Sequence, residues 1–169
     1  MSRVSLRVGD VFSVPLDDRS FGVGQVVATF GKNAYFLALF APAFAREKRL
    51  DFEQALRAPV ALLALSLDAK VAAGDWVVLG NEPVPHDMPL PAYKEMVGGP
   101  ERVDVVDFSG TRRRHAQGDE AQRLPNRKIV APVRLEKALK AKHGLEPWND
   151  AYGALEPSPL ATTARMFDA

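Results

Sequence analysis

Val11-Phe12-Ser13-Val14-Pro15-Leu16 is the stretch that decides the fold, because its apolar residues alternate with small ones at the period of a half-buried strand. Strand-forming residues return over 21–30, where Gly22 and Gly24 indicate a bulge or a sharp bend. A third run, 34–40, is apolar nearly throughout. Since only short turns separate the three runs, they predict an antiparallel meander, which the two glycines would allow to coil into a half-barrel.

Strand patterns continue as far as residue 108. The runs 60–67 and 74–81 predict a fourth and a fifth strand, and the alternation of 102–108 predicts a sixth strand at an edge. Charged and apolar residues mixed over 46–57 predict a short amphipathic helix or turn. The four prolines between Glu82 and Pro91 predict an extended loop that wraps the sheet surface.

The strongest helix pattern in the chain runs from Pro132 to Gly144, with proline at its start, glycine at its end and cationic residues in its last turn. The segment 111–126 has no apolar period and is predicted to be an exposed loop. These elements predict an α+β fold: a strongly bent antiparallel sheet, or small half-open barrel, of five to six strands covered by the C-terminal helix. Residues 1–155 are predicted to form one domain, and 156–169 a tail that is frayed or docked by Met166 and Phe167.

Composition excludes several classes of site. With no cysteine the chain has no disulfide framework, no thiolate metal site and no cysteine nucleophile, which fits a cytoplasmic protein. Twenty-two basic residues nearly cancel 21 acidic ones, so no overall field attracts a polyanion. Met1 to Arg7 lacks the apolar run of a signal peptide, and the longest apolar stretch, 59–67, is too short to span a membrane.

No arrangement of residues predicts catalysis, a cofactor or a metal. His86, His115 and His143 are not at metal-ligand spacings, and His143 is explained as a residue at a helix C-terminus. The serines occur in no known nucleophile motif. Gly22-Val23-Gly24 lacks the third glycine of a dinucleotide fingerprint and is followed by strand residues. The acidic pairs Asp17-Asp18 and Asp104/Asp107 are typical of solvated turns and strand edges.

Arg112, Arg113 and Arg114 form the densest positive run, and forked guanidinium donors suit phosphates or an acidic protein surface. Because no aromatic residue stands beside them to stack on bases, an acidic protein partner is favoured over nucleic acid. Trp148 and Tyr152 are predicted to cover the sheet or to join the arginines in a partner-binding surface. Trp76 is predicted to anchor the core, with an indole N–H that needs an acceptor.

Three short stretches carry a resemblance to a known family. They are Gly9-Asp10-Val11-Phe12-Ser13-Val14-Pro15-Leu16, with Phe21-Gly22-Val23-Gly24-Gln25-Val26 soon after, and Trp76-Val77-Val78-Leu79-Gly80-Asn81-Glu82-Pro83. Residues 8–95 resemble the immunity protein 26 family of bacterial polymorphic toxin systems. That resemblance implies a cytoplasmic protein that binds and blocks a cognate toxin without chemistry of its own. Its matched residues Gly9, Pro15, Gly22, Gly24, Trp76 and Gly80 are explained by the fold, as bends, an edge position and a core anchor.

A second family offers an alternative function. The same opening on a small coiled barrel is similar to toxin endoribonucleases of the PemK type, which would make the chain an RNA-cleaving or RNA-binding small barrel. Such an enzyme would need a basic catalytic residue, for which Arg19 or Arg46 is available. This match is shorter and lacks the later tryptophan segment, so the immunity protein is the preferred interpretation.

Overall fold

The computed structural model describes residues 5–99 and 101–168, so the prediction about Met1 to Arg7 lies partly outside the described residues. The chain forms two compact units. The first comprises the described residues of 1–88 and 129–156, and the second comprises those of 89–128 and 157–169. Both units combine an antiparallel sheet with short helices, which gives the predicted α+β class. The single domain over 1–155 stays a prediction.

The first unit is built on a five-stranded antiparallel sheet. Its strands are β1 (Asp10–Pro15), β2 (Ser20–Phe30), β3 (Ala34–Ala45), β4 (Val60–Ser66) and β5 (Val77–Asn81), in the spatial order β4-β3-β2-β1-β5. The predicted meander is therefore confirmed, since its three strands are consecutive antiparallel neighbours. The two end strands, β4 and β5, do not pair with each other, so the sheet is not a closed barrel.

Glycines in β2 allow the sheet to bend and its core to close. The pairing of β2 with β3 shifts register between Gly22 and Gly24, as the glycine pattern predicted. A Cβ on Gly24 would lie 2.4 Å from Cζ of Phe12, so only a hydrogen fits beneath that ring. A Cβ on Gly22 would lie 2.6 Å from Cδ2 of Leu139. An added methyl group would therefore meet a fully buried ring at Gly24 and would displace the end of the Leu139 side chain at Gly22.

The two faces of this sheet bury different clusters. Side chains of successive residues in a strand point to opposite faces of the sheet. In β1, Phe12 accordingly belongs to the larger cluster and Val11 to the smaller one. The helix α4 (Pro132–Lys142) contributes Leu135, Ala138 and Leu139 to the larger cluster. Whether α4 covers the sheet as a whole stays a prediction. The shorter elements of this unit are α1 (Phe52–Arg57), α2 (Ala69–Ala72) and a 3-10 helix (Asp150–Leu155).

Trp76 is 1% exposed and belongs to the larger cluster, which confirms its predicted burial. Its Nε1–H donates to Oε1 of Glu136 at 3.1 Å. Glu136 lies on α4, and the ammonium groups of Lys70 and Lys140 stand 3.5 and 3.9 Å from its other carboxylate oxygen. The indole N–H thus has the acceptor that a buried tryptophan needs.

The second unit holds a separate three-stranded sheet. Its strands β6 (Tyr93–Met96), β7 (Val103–Val106) and β8 (Arg113–His115) are antiparallel and lie in the order β6-β7-β8. The expectation that 102–108 adds a sixth strand to the first sheet was wrong, because β7 pairs with β6 and β8 instead. These partners follow and precede β7 closely in sequence, so antiparallel pairing needs only short connections.

The helices of this unit are α3 (Glu120–Arg123) and α5 (Thr163–Phe167). The expectation that 111–126 is a loop was therefore also wrong, because it contains β8 and α3, whereas most of its residues are exposed as predicted. Met166 is buried in a cluster with Ala92, Val105 and Leu124, and Phe167 packs against it. Among the helices of the described residues, none is both long and apolar enough to cross a membrane.

Candidate partner-binding surfaces

A polar network joins the start of β1 and Gln25 of β2 to the end of β5 and to Glu82, the residue after it. The Asp10 carboxylate accepts from the Arg7 backbone N–H at 2.8 Å and from the Asn81 side-chain amide at 2.9 Å. The buried Gln25 amide donates to the Glu82 carbonyl at 3.0 Å. Gly9 adopts φ +96°, and a Cβ there would lie 2.7 Å from the same carbonyl. These residues, most of which belong to the stretches that resemble the family, thus connect the sheet to the start of the proline-rich loop.

The three arginines singled out in the sequence all lie at or beside β8, and each is paired with a carboxylate. Arg112 is 2.7 Å from Asp168, Arg113 is 2.7 Å from Glu95, and Arg114 is 2.7 Å from Glu120. These hydrogen bonds raise the pKa of all three guanidinium groups. The side chains of Arg112 and Arg113 remain 45% and 46% exposed, so a partner can still reach them.

Arg114 is the most enclosed of the three. It donates to both oxygens of Glu120, at 2.9 and 2.7 Å, and to the Met166 carbonyl at 3.3 Å from Nε. Glu120 also accepts from the Gln117 backbone N–H at 2.6 Å. The hydrogen bond from Arg114, with help from that N–H, outweighs burial and lowers the pKa of Glu120 from its ordinary 4.5 to about 2. Arg114 therefore stabilises the second unit.

Trp148 and Tyr152 meet on the surface of the first unit. Their rings are T-shaped, with centroids 5.4 Å apart, and Trp148 is 43% exposed. Nζ of Lys142 lies 5.2 Å from the centroid of the Trp148 ring and 3.1 Å from the Glu156 carboxylate. Tyr152 packs against the larger core cluster. An exposed indole that is fixed in this way is typical of a binding anchor, because little side-chain entropy remains to be lost.

The structure brings the predicted residues together as two separate groups. Arg112, Arg113 and Arg114 belong to the second unit, and Trp148 and Tyr152 belong to the first. Each group is therefore a candidate surface by itself. The exposed residues Val77 and Leu79 of β5 form a third candidate, which the sequence did not predict. The sequence pattern predicted that this segment is a strand, but a local pattern does not show which strand lies at the edge of the sheet.

The residues weighed as catalytic candidates are engaged in local structure. Asp17 accepts from the backbone N–H groups of Arg19 and Ser20, and these bonds and the Ser20 hydroxyl lower its pKa. Burial acts to raise the pKa of Asp107, but hydrogen bonds from Ser109 and from backbone N–H groups outweigh it, so that pKa is also lowered. In the ranges 5–99 and 101–168, no three histidine or acidic residues are placed to hold a metal ion.

Comparison with known protein families gives a match to this chain. The model of the immunity protein 26 family matches residues 7–99, which contain all five strands of the first sheet. No curated protein and no solved structure matches the chain. The matched residues include Gly9, Asp10, Gln25 and Asn81 of the polar network, and they make up more than half of the 169 residues. This chain therefore belongs to the immunity protein 26 family.

Proposed function

We propose that this protein binds a cognate toxin in the cytoplasm and neutralises it as a stoichiometric complex, without catalysis. The observation that carries the proposal is the family match over the complete five-stranded sheet. An immunity protein acts on a toxin, and blocking by a tight complex needs no cofactor and no reacting group. A complex of this kind typically buries on the order of 1,600 Å² of surface in total.

The structural role of the motif residues supports a binding function for the protein. The side-chain hydrogen bonds of the motif residues stay within the protein. Asp10 accepts from the Arg7 backbone and from Asn81, and the side-chain amides of Gln25 and Asn81 donate to backbone carbonyls. They therefore maintain the shape of the first unit, and we expect exposed residues to recognise the toxin. Proteins that recognise different partners on one scaffold commonly divide their residues in this way.

We place Trp148 and Tyr152 in one toxin-binding surface, on the first unit, and the arginines at or beside β8 in a second one, on the second unit. Tryptophan, tyrosine and arginine are the residues most enriched among interface hot spots. Arg112 and Arg113 would act at the rim, because they already have carboxylate partners and can exchange them for acidic groups of the toxin at little net gain. Trp148 is exposed and fixed in orientation, so we expect it to contribute more than either arginine.

Co-expression in bacteria tests this function. The toxin would be the effector domain encoded beside this gene, produced from an inducible promoter with and without this protein. We expect growth to be restored by the wild-type protein and reduced by the Trp148→Ala/Tyr152→Ala double variant. The matched control is Val133→Ala, a truncation of another exposed apolar residue of the first unit. Growth arrest in the presence of folded wild-type protein would contradict the proposal.

An RNA-cleavage assay on the purified protein distinguishes the alternative function, RNA cleavage, from the proposed binding of a toxin. A PemK-type endoribonuclease would cut RNA in the absence of any partner, and the Arg19→Ala and Arg46→Ala variants would lose that activity. The backbone N–H of Arg46 donates to the carbonyl of Arg19 at 3.0 Å, so the two residues are neighbours. Intact RNA with the wild-type protein is the result that our proposal predicts.

A further inference from the structure

The five-stranded sheet has one covered edge and one open edge. At the β4 edge, the Val130 N–H donates to the Leu65 carbonyl at 2.9 Å, and the Ser66 hydroxyl donates to the Val130 carbonyl at 2.7 Å. The chain around Val130 therefore lies along that strand. At the other edge, β5 pairs with β1 alone among the described strands. An edge strand without a neighbour presents backbone N–H and C=O groups that another strand can pair with.

The side chains of β5 suit a further strand. Val77 is 52% exposed and Leu79 is 39% exposed, and no lysine, arginine or proline occurs in Val77–Asn81. Proteins often protect an open edge with such residues, and this edge has none of them. The pairing of β5 with β1 has a bulge at Leu79, which limits regular pairing to a short segment.

Charge identifies the kind of partner. Residues 74–82 include the carboxylates Asp75 and Glu82 at their two ends and no cationic residue. The Asp75 side chain is 54% exposed, although Nζ of Lys70 lies 3.4 Å away. If two copies paired through β5 in antiparallel fashion, the acidic ends of one strand would lie beside the acidic ends of the other. This repulsion disfavours a second copy and favours a strand with lysine or arginine at its ends.

We propose that β5 binds an extended segment of the toxin by strand addition, and that this segment has apolar residues at alternate positions and basic residues at its ends. The inference rests on the proposed function and specifies how the toxin is recognised. Backbone hydrogen bonds to β5 supply affinity, while Val77, Leu79 and the flanking carboxylates select the sequence that binds.

The test compares two pairs of lysine substitutions on the full chain. Val77→Lys/Leu79→Lys alters the open edge, and Ile129→Lys/Val133→Lys alters two other exposed apolar residues of the same unit, which are 53% and 40% exposed. Binding of the effector domain encoded beside this gene is measured by calorimetry, after thermal unfolding has shown that each variant is folded. We expect the edge variant to bind about 100-fold more weakly and the control to change by less than about threefold.

Hydrogen exchange supplies a readout that does not depend on substitution. On binding the effector domain, backbone amides of β5 that do not face β1 should exchange more slowly in the wild-type protein. If wild type and the edge variant bind equally well, or if these amides keep their exchange rates in the complex, strand addition is wrong while the proposed function stands. If the folded wild-type protein does not bind the effector domain, the proposed function fails and this inference fails with it.

Discussion

The ring of Phe12 lies parallel to the indole of Trp76, with 5.2 Å between their centroids and 5° between their planes. Phe12 belongs to β1 and Trp76 directly precedes β5, so this stack joins the two strands on the core side of the sheet. Gly24 of β2 lies against Cζ and Cε2 of the Phe12 ring. Three separate parts of the family motif therefore meet at one point of the core.

Gly24→Ala should destabilise the protein, because the new Cβ would lie 2.4 Å from Phe12 and 2.7 Å from Leu39. Both neighbours are fully buried, so they have little room to move. We expect the free energy of unfolding in urea to fall by about 1–3 kcal/mol or more, as in other overpacked cores. Gly153→Ala is the control, since nothing lies within 4 Å of a Cβ there. Equal stability of the two variants would show that Phe12 does not pack on Gly24.

Substitution of Trp76 should separate its packing from its hydrogen bond. We expect Trp76→Ala to lower the free energy of unfolding by about 3–5 kcal/mol. Trp76→Phe keeps an aromatic ring but leaves Glu136 without its indole donor, at a cost of about 1–3 kcal/mol. The exposed Trp148 serves as the control, with less than about 1 kcal/mol lost in Trp148→Ala. An unchanged melting temperature in Trp76→Ala would contradict the burial of this residue.

Glu120 should make the second unit sensitive to acid. Its pKa is lowered from 4.5 to about 2 in the folded protein, so its ion pair stabilises the fold fully above pH 4.5. That contribution is lost progressively as the pH falls from 4.5 toward 2. Carbon-13 NMR of the Glu120 carboxyl group should therefore give a titration midpoint near 2, and Arg114→Gln should move the midpoint upward. A midpoint near 4.5 in the wild-type protein would exclude the pairing.

Breaking the two ion pairs that Arg114 and Arg113 form should affect stability unequally. Arg114→Ala leaves the largely buried Glu120 carboxylate without its partner, for which we expect a loss of about 3–5 kcal/mol. The pair of Arg113 with Glu95 is exposed on both sides, so Glu95→Ala should cost less than about 1 kcal/mol. Arg165, on the exposed side of α5, provides a matched arginine-to-alanine control. Urea denaturation of the three variants checks this order, and a similar loss in all three would refute it.

The sequence predicted the first sheet well because its strands are local patterns. Alternation marks β1, and the apolar run marks β3, without reference to distant residues. The strand β8 gave no such signal, because Arg113, Arg114 and His115 are all polar. It forms where Asp104, Glu95 and Glu120 supply opposite charges, and these partners are brought near only by folding. A local sequence pattern could not predict this strand, because the carboxylates that pair with its arginines come from other segments of the chain.

The candidate binding surfaces, like β8, depend on long-range contacts that local sequence patterns do not reveal. Arginine density in the sequence marked Arg112 to Arg114 for binding, but their carboxylate partners could not be read from spacing. The open edge at β5 was missed because the position of a strand in a sheet depends on long-range pairing. Trp148 and Tyr152 were identified by residue type, and the structure adds that their rings are in contact.

The most direct test of the central claim is a titration of this protein into the active effector domain of its proposed toxin, with residual toxin activity measured at each ratio. The proposed stoichiometric block predicts that activity falls linearly and reaches its minimum at an equimolar ratio. The toxin recovered from the complex by denaturation and refolding should be unmodified and active. Complete loss of toxin activity at a small fraction of equimolar protein, or no loss at any ratio, would contradict the account.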